Sequence, residues 1–365
     1  MNSSAKKVAK FWGESYKGKE HDIYNFDPTR KYFCKLVTGK KEADCKEDWL
    51  EDWFFREYLS QSGRLESCLS VCCGTGERDR RINNLGYFKN CVSIDLSDFA
   101  IDSAKRAAAG AGMANIAYIQ GDLNSLVLGE NKYDLVYVAA GMHHIENLEH
   151  LVNQIHLCLK PGGYLFCDEY VGPNRTNLSP RHREIINSVI HLIPERLKAT
   201  NEDNFIPGVF KKSHLLSGLL LLSRIGRLEL DSHQHLENSG RLRSFGFRSL
   251  RFLNSIFRGS NRRKGFRYGK VFDVYPEVIK YRDPSEGVRS EEIIGVIKGK
   301  FRQTECHYYN GSILAFALDE RFLRNYDGEN PADVAILDMI IKMEMDFIKS
   351  GEIPSIHAAI VSRKT

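Results

Sequence analysis

Cys68-Leu-Ser-Val-Cys-Cys-Gly-Thr-Gly76 decides the fold. An apolar run of strand length enters a turn with two glycines, and the residues beyond it read as a helix. Gly74 and Gly76 let the backbone approach a ligand where a Cβ would collide. In an open parallel sheet that edge is where ligands bind. Many strand-to-helix turns carry two glycines, so the turn gains meaning only from what surrounds it. Outward from it, short apolar runs alternate with helix-like stretches between 66 and 170, the βα pattern of a parallel sheet. The spacing predicts strands over Cys68–Cys72, Cys91–Ile94, Ile116–Ile119, Tyr133–Val138 and Tyr164–Cys167. It predicts helices over Asp98–Ala109, after a turn at Ser97, and over Leu148–Leu159, stopped by Pro161-Gly162-Gly163.

On the amino-terminal side, Lys46 to Leu59 reads as an amphipathic helix, with Trp49, Trp53 and Phe54 at i, i+4 and i+5. On the other side the pattern breaks after 175. Residues 179–198 look helical, and 200–275 are irregular, basic and rich in Ser, Gly and Arg. A helix from Arg289 to Lys298, a strand around Phe301–Tyr308, a helix around Asp333–Lys349 and a strand over Ile356–Val361 follow. The expected organisation is an N-terminal helical cap (1–65), a ligand-binding core (66–175), an insertion or substrate cap (176–285) and a return to the core sheet (286–365).

Composition bounds the function. The chain has 365 residues, 42% of them apolar, and a formal charge of +5. That excludes disordered, collagen-like and disulfide-scaffold classes. Between Arg241 and Lys270 there are ten Lys/Arg and no Asp or Glu, and the rest of the chain carries 42 basic against 47 acidic residues. The positive balance is therefore local, and general nucleic-acid affinity is not implied. MNSSAKKVAK lacks the apolar stretch of a secretion signal, and the most apolar run, Leu215 to Leu222, is too short to span a membrane. Nine cysteines fit reduced thiols better than a disulfide framework, so a cytoplasmic protein is expected.

Asp95 ends the second strand, 19 positions after Gly76, where a carboxylate can accept both hydroxyls of a ribose. A nicotinamide site would want a glycine at position 79, which here is Asp79. Gly121-Asp122 ends the third strand and can put a carboxylate at a purine amino group. A ligand with adenine and ribose but no pyrophosphate fits best, which describes S-adenosylmethionine.

With these residues in view, the sequence resembles the class I S-adenosylmethionine-dependent methyltransferases. The carrying segments are LSVCCGTGE (69–77), VSIDLSDFAIDSAKR (92–106), IQGDLNSL (119–126), YDLVYVAAGMHHIENLEHL (133–151) and LKPGGYLFCDEYVGPNR (159–175). The resemblance extends to DPSEGVRSEEII (283–294), the Tyr309-Asn-Gly-Ser-Ile-Leu stretch and GEIPSIHAAIVSRK (351–364), and looks like a bacterial subgroup with the EYVGPNR-type motif after the fifth strand. It implies a Rossmann-like α/β fold: a mostly parallel seven-stranded sheet, helices on both faces, an N-terminal helical cap and a basic insertion. It also implies that Cys72, Cys73, Gly74 and Gly76 face the methionine part of the cofactor, that Asp95 holds the ribose and that Leu96 faces the adenine. Asp122 and the Leu123 backbone would read the adenine amino edge, with Ala139 to Met142 flooring the pocket below the sulfonium. Two positions depart from the pattern. Ser70 stands where the first strand usually carries an acid, and Cys72 where the turn has its first glycine.

Methyl transfer from a sulfonium is an in-line displacement, so placement of the nucleophile supplies much of the rate. A base matters when the nucleophile carries a proton. His143 and His144 follow Gly141-Met142 over the expected methyl position, and an imidazole can accept a proton near pH 7. His144 is the expected base. Asp168-Glu169-Tyr170 leaves the fifth strand at the same edge; strand side chains alternate, so one carboxylate should face the pocket and the other away. The resemblance favours Glu169, with Tyr170, Asn174 and Arg175 shaping the substrate site. The bland alternatives are a helix-capping or core histidine and a carboxylate paired to Arg175 for structure alone.

Other chemistry fits poorly. The fourth strand ends in Ala139-Ala-Gly-Met instead of the Asp/Asn-Pro-Pro-Tyr of amino-group DNA methylases, and no Pro-Cys nucleophile is present. His233 and His235 near Asp231 read as solvated, and no metal is expected. The basic segment interleaves Phe245, Phe247, Phe252, Phe257, Phe266 and Tyr268, which suits a lid, an anionic clamp or a solvated insertion. The leading expectation is O- or N-methylation of a small molecule or glycan. A nucleic-acid methyltransferase using 241–270, or a cofactor-binding protein without catalysis, are the alternatives.

Overall fold

The strands carry near-continuous apolar runs, as strands covered on both faces must. A computed structural model of the chain describes residues 7–9, 11–12, 23–39, 45, 49–200, 266–267, 283–318 and 320–365. Seven strands form one sheet: β1 (Leu65–Val71), β2 (Phe88–Asp95), β3 (Ile116–Gln120), β4 (Tyr133–Ala139), β5 (Leu159–Tyr170), β6 (Gln303–Gly311) and β7 (Ser355–Arg363). Their spatial order is β3-β2-β1-β4-β5-β7-β6. β7 is antiparallel to both neighbours, and the other pairings are parallel. This is a Rossmann-like, mostly parallel sheet whose strand order reverses between β1 and β4.

Alternation along the central strands divides the core in two. Leu69, Val71, Val136, Val138, Leu165 and Cys167 bury on one face. Cys68, Leu135, Tyr137 and Phe166 bury on the other, against the helices α1 (Asp27–Thr38) and α2 (Trp49–Tyr58). Phe54 of α2 stacks on Phe166 with ring centres 4.2 Å apart, a pairing that contributes about 0.5–1.5 kcal/mol beyond its area. Each helix that leaves the ligand edge starts with local chemistry. α3 (Glu77–Asn84) follows Gly76, in the left-handed region at φ 67°. α4 (Asp98–Gly110) is capped by the Ser97 hydroxyl, which accepts from Ala100 N, and α5 (Leu148–Cys158) by Asn147, which accepts from His150 N.

Several elements differ from the sequence reading. The first strand ends at Val71, because Cys72 turns the chain at φ 58°. Cys72 and Cys73 are therefore half-buried turn residues, whereas Cys68, Cys91 and Cys167 are core residues. The Pro161-Gly162-Gly163 stretch does not end a helix; it lies inside β5, where the register with β4 shifts between Tyr133 and Leu135. The strand is long enough to absorb this bulge, and α5 stops earlier, at Cys158. The helix expected at Arg289–Lys298 is a short 3₁₀ turn, Ser290–Glu292, followed by α7 (Ile293–Lys300), with α6 (Pro180–Leu192) before it. The chain continues into α8 (Ser312–Ala317) and α9 (Pro331–Lys349). Cys34 and Cys45 form a disulfide with Cα atoms 5.9 Å apart, so the expectation that all nine thiols are reduced is corrected; the other seven are free. His233, His235 and the basic segment 241–270 lie outside the described residues, apart from the backbone of Phe266 and Arg267. Among the described residues, no helix is long and apolar enough to cross a membrane.

Candidate active site

The ligand edge has two parts. The first is built by the Cys72–Gly76 turn and the end of β2. Cys73 N donates to Ile94 O (3.1 Å) and Gly76 N to Cys73 O (2.9 Å), which fixes the turn against β2. A Cβ on Gly76 would run into the Tyr118 ring, 2.4 Å from its hydroxyl oxygen. A Cβ on Gly74 would meet nothing within 4 Å. The space beside Gly74 is thus open. Beside it, Asp95 accepts from Gly74 N (2.8 Å) and from Ser97 N (2.9 Å). Burial pushes its carboxyl upward, against the pull of the backbone N–H groups of Ser97, Gly74 and Leu96. Asp122 Oδ1 accepts from the Asn124 N and Nδ2 atoms, each at 3.0 Å, and Leu123 is buried beneath. Leu96 and Ala139 are half-buried on the same edge.

The two sequence departures have structural answers. The Cys72 side chain projects toward β4, where a Cβ on Gly141 would lie 2.2 Å from the Cys72 Cβ. A glycine across the sheet makes room for the side chain, and the thiol donates to Gly141 O at 3.5 Å. Ser70 carries no charge, but Asp79 of α3 is buried nearby, and the Ser93 and Ser70 hydroxyls favour its ionised form while burial opposes it. Its Oδ2 atom has no hydrogen-bond partner.

The second part lies past β4 and β5. Met142–His144 forms one 3₁₀ turn after Gly141. Glu169 is fully buried, and its Oε2 accepts from Gly141 N (3.0 Å) and Met142 N (2.7 Å). Its Oε1 accepts from Tyr170 N (2.9 Å) and is hydrogen-bonded to His143 Nδ1. Burial by itself would lower the His143 pKa, but the Glu169 carboxylate outweighs it and holds the imidazole at about 9. His144 goes the other way: burial, the neighbouring His143 charge and Arg175 keep it neutral well below the usual range. The alternation expected of Asp168 and Glu169 is visible. Asp168 turns to the opposite side, where it accepts from Arg78 Nη1 (2.6 Å) and from the Tyr309 hydroxyl.

A segment 140 residues away completes this part. His144 Nδ1 lies 3.0 Å from Ser285 Oγ, whose hydroxyl donates to Asp283 Oδ1 at 2.6 Å. Glu286 faces both imidazoles, 3.7 Å from His143 Nε2 and 3.9 Å from His144 Nε2. Val288 N donates to His143 O, and Arg289 clamps Glu149 at the start of α5 through two 2.7 Å bonds. Trp12 donates from Nε1 to Asp283 Oδ2 (2.8 Å), with its ring 5.0 Å from that of His144. Asn174 and Arg175 belong to this clamp. Asn174 Oδ1 accepts from Glu291 N (3.1 Å), and Arg175, at φ 56°, donates to Glu286 O (2.9 Å) and Asp283 O (3.4 Å). Tyr170 donates to Pro173 O at 3.0 Å. Arg175 therefore does not pair with Glu169. Asp283, Ser285 and Glu286 were not singled out from the sequence; the DPSEG stretch was visible, but nothing local ties it to His143.

Residues 69–167 match the family model described as a methyltransferase domain. This segment of the chain is thus similar to methyltransferase domains. It is 31% identical over 145 residues to a demethylmenaquinone methyltransferase of Leptospira interrogans, covering 37% of this chain and 57% of that one. It is 31% identical over 177 residues to the sterol 24-C-methyltransferase erg6 of Aspergillus fumigatus, covering 45% and 43% respectively. The chain spans about half the length of the curated relatives it matches. Among solved structures, a putative sarcosine dimethylglycine methyltransferase from Galdieria sulphuraria aligns over 100% of this chain and 99% of its own at 12% identity, with a TM-score of 0.42.

Proposed function

We propose that this protein methylates a small-molecule or glycan acceptor at oxygen or nitrogen. The observation that carries the reading is the contact between the two parts of the edge. The open space at Gly74 and the imidazole–carboxylate cluster meet where Cys72 packs on Gly141. The residues fit the cofactor: Cys72, Cys73, Gly74 and Gly76 border its methionine end, Asp95 its ribose, and Leu96, Asp122 and Leu123 its adenine. When bound, S-adenosylmethionine supplies a methyl group already activated by the sulfonium. The chain's own task is to place the acceptor lone pair in line with that methyl, a few ångströms away, and to exclude water.

In this reading Glu169 is a positioning residue. It fixes the turn through Gly141 and Met142 N–H and sets the His143 ring. His144, kept neutral, offers Nε2 on the acceptor side. Ala139 floors the pocket, and Tyr170, Asn174 and Arg175 hold the wall that the 283–291 segment forms. The relatives named as acting on a menaquinone precursor and a sterol support a small-molecule acceptor over nucleic acid.

The reading is tested with methyl-labelled S-adenosylmethionine and a fractionated metabolite pool. Label should appear in a small-molecule or glycan fraction, with S-adenosylhomocysteine released in equal amount. Label in RNA or DNA would move the assignment to nucleic acid. Tight cofactor binding with no transfer to any fraction would leave a binding protein without catalysis.

A further inference from the structure

Three side chains that can ligate a metal converge on one point beside the proposed acceptor site. Ser285 Oγ gives its proton to Asp283, so it accepts from His144 Nδ1–H, and the His144 Nε2 atom is left with a lone pair. Glu169 takes the Nδ1–H of His143 in the same way, which leaves Nε2 as that ring's outward atom. Both Nε2 atoms face the Glu286 carboxylate, at 3.7 and 3.9 Å, and the imidazole centres lie 4.1 Å apart. One ligand atom from each of the three residues falls within 4.8 Å of the others. A divalent cation among these atoms would displace the Nε2 proton of His143 and take up the His144 lone pair and the Glu286 carboxylate together.

We infer that His143, His144 and Glu286 bind one divalent transition-metal ion of the zinc, iron or manganese type. Two imidazoles and one carboxylate form the donor set of catalytic sites that keep a coordination position open. Each imidazole already has the second partner that metal-bound histidines use to fix ring and tautomer: the buried Glu169 for His143, and the Ser285–Asp283 pair for His144. The Glu286 side chain is 37% exposed, so solvent can deliver the ion. Two short tethers hold the third ligand in place. Arg175 bonds the Glu286 carbonyl, and Gly287, at φ 55°, packs where a Cβ would press on Arg175 N at 3.1 Å. The open position faces the proposed acceptor and suits an acceptor oxygen. That last use rests on the methyltransferase reading, whereas metal binding does not.

The test uses the full chain, stripped with a chelator and titrated with Zn²⁺ and Co²⁺ by calorimetry, with S-adenosylhomocysteine titrated separately. Wild type should take up one equivalent of metal. Glu286→Gln and His144→Gln should each weaken uptake at least 100-fold, and Glu169→Gln about 10–100-fold through the imidazole it holds. Glu286→Gln should bind S-adenosylhomocysteine as wild type does, which shows that the variant is folded. Less than a tenth of an equivalent in wild type, or equal uptake by Glu286→Gln, would overturn the metal site. Loss of S-adenosylhomocysteine binding in wild type would instead count against the methyltransferase reading and leave the metal result standing.

Discussion

The two halves of the ligand edge are built differently. The proposed cofactor half is local: a left-handed turn at 72–76 and one carboxylate, Asp95, tied by backbone N–H groups of its immediate surroundings. The proposed acceptor half is long-range: a turn at 142–144, a buried glutamate from β5 and a segment at 283–289 brought in by Arg175, Arg289 and Trp12. A local device fails alone when altered, leaving the fold intact. A cluster of buried charges is coupled to stability as well as to chemistry. The contrast can be broken at named residues.

The largest effect should come from Gly74→Val. The side chain fills the open space, so S-adenosylhomocysteine binding should vanish in calorimetry. The left-handed backbone should cost the fold only about 1–2 kcal/mol in a denaturant melt. Retained affinity would remove the turn from the cofactor site. Next is Glu169→Gln. It strips the counter-charge from a buried imidazolium, and breaking such a pair costs about 3–5 kcal/mol of unfolding free energy. A loss below 1 kcal/mol would mean that the acceptor half is no more coupled to the fold than the cofactor half.

A third carboxylate, outside both halves, calibrates the charge argument. Glu344 of α9 is fully buried and accepts from Gly311 N (2.8 Å) and Leu314 N (2.7 Å), with no ion-pair partner among the described residues. Burial outweighs these bonds and pushes its pKa up to about 7. A carboxyl raised in the folded state favours folding when protonated. Its contribution is therefore full below about pH 4.5 and is lost as pH rises through 7, by about 3 kcal/mol. The stability difference between wild type and Glu344→Gln should change by that amount across the window. A difference that is flat with pH would show that the backbone N–H groups alone hold the ionised form.

The smallest effect is expected at Asp95→Ala. Losing a hydrogen-bonding charge should weaken S-adenosylhomocysteine by about 1.5–3 kcal/mol, roughly 10- to 100-fold, with unfolding little changed. Destabilisation as large as that of Glu169→Gln would erase the distinction between the halves.

Most of the fold was legible because a buried parallel sheet writes itself as apolar runs punctuated by turns. Ser97 as a cap, Asp95 at a strand end and the alternation of Asp168 and Glu169 follow from neighbours a few residues away. Errors gathered where a short signal has two outcomes. Pro161-Gly162-Gly163 reads as a helix stop, yet a bulge in a long strand accommodates it. Cys72 reads as the last strand residue, yet Gly141, just past the adjacent strand, gives its side chain room in a turn.

By itself, the sequence determined the βα order, the glycine turn and the acidic strand ends, and so the resemblance to methyltransferases, since each depends on chemistry within a few positions. Only the tertiary structure decided that Glu169 pairs with His143 and not with Arg175, that His144 is neutral while its neighbour is charged, and that Asp283, Ser285 and Glu286 complete the cluster. Protonation and convergence depend on burial and on groups 140 residues apart. No local pattern encodes either.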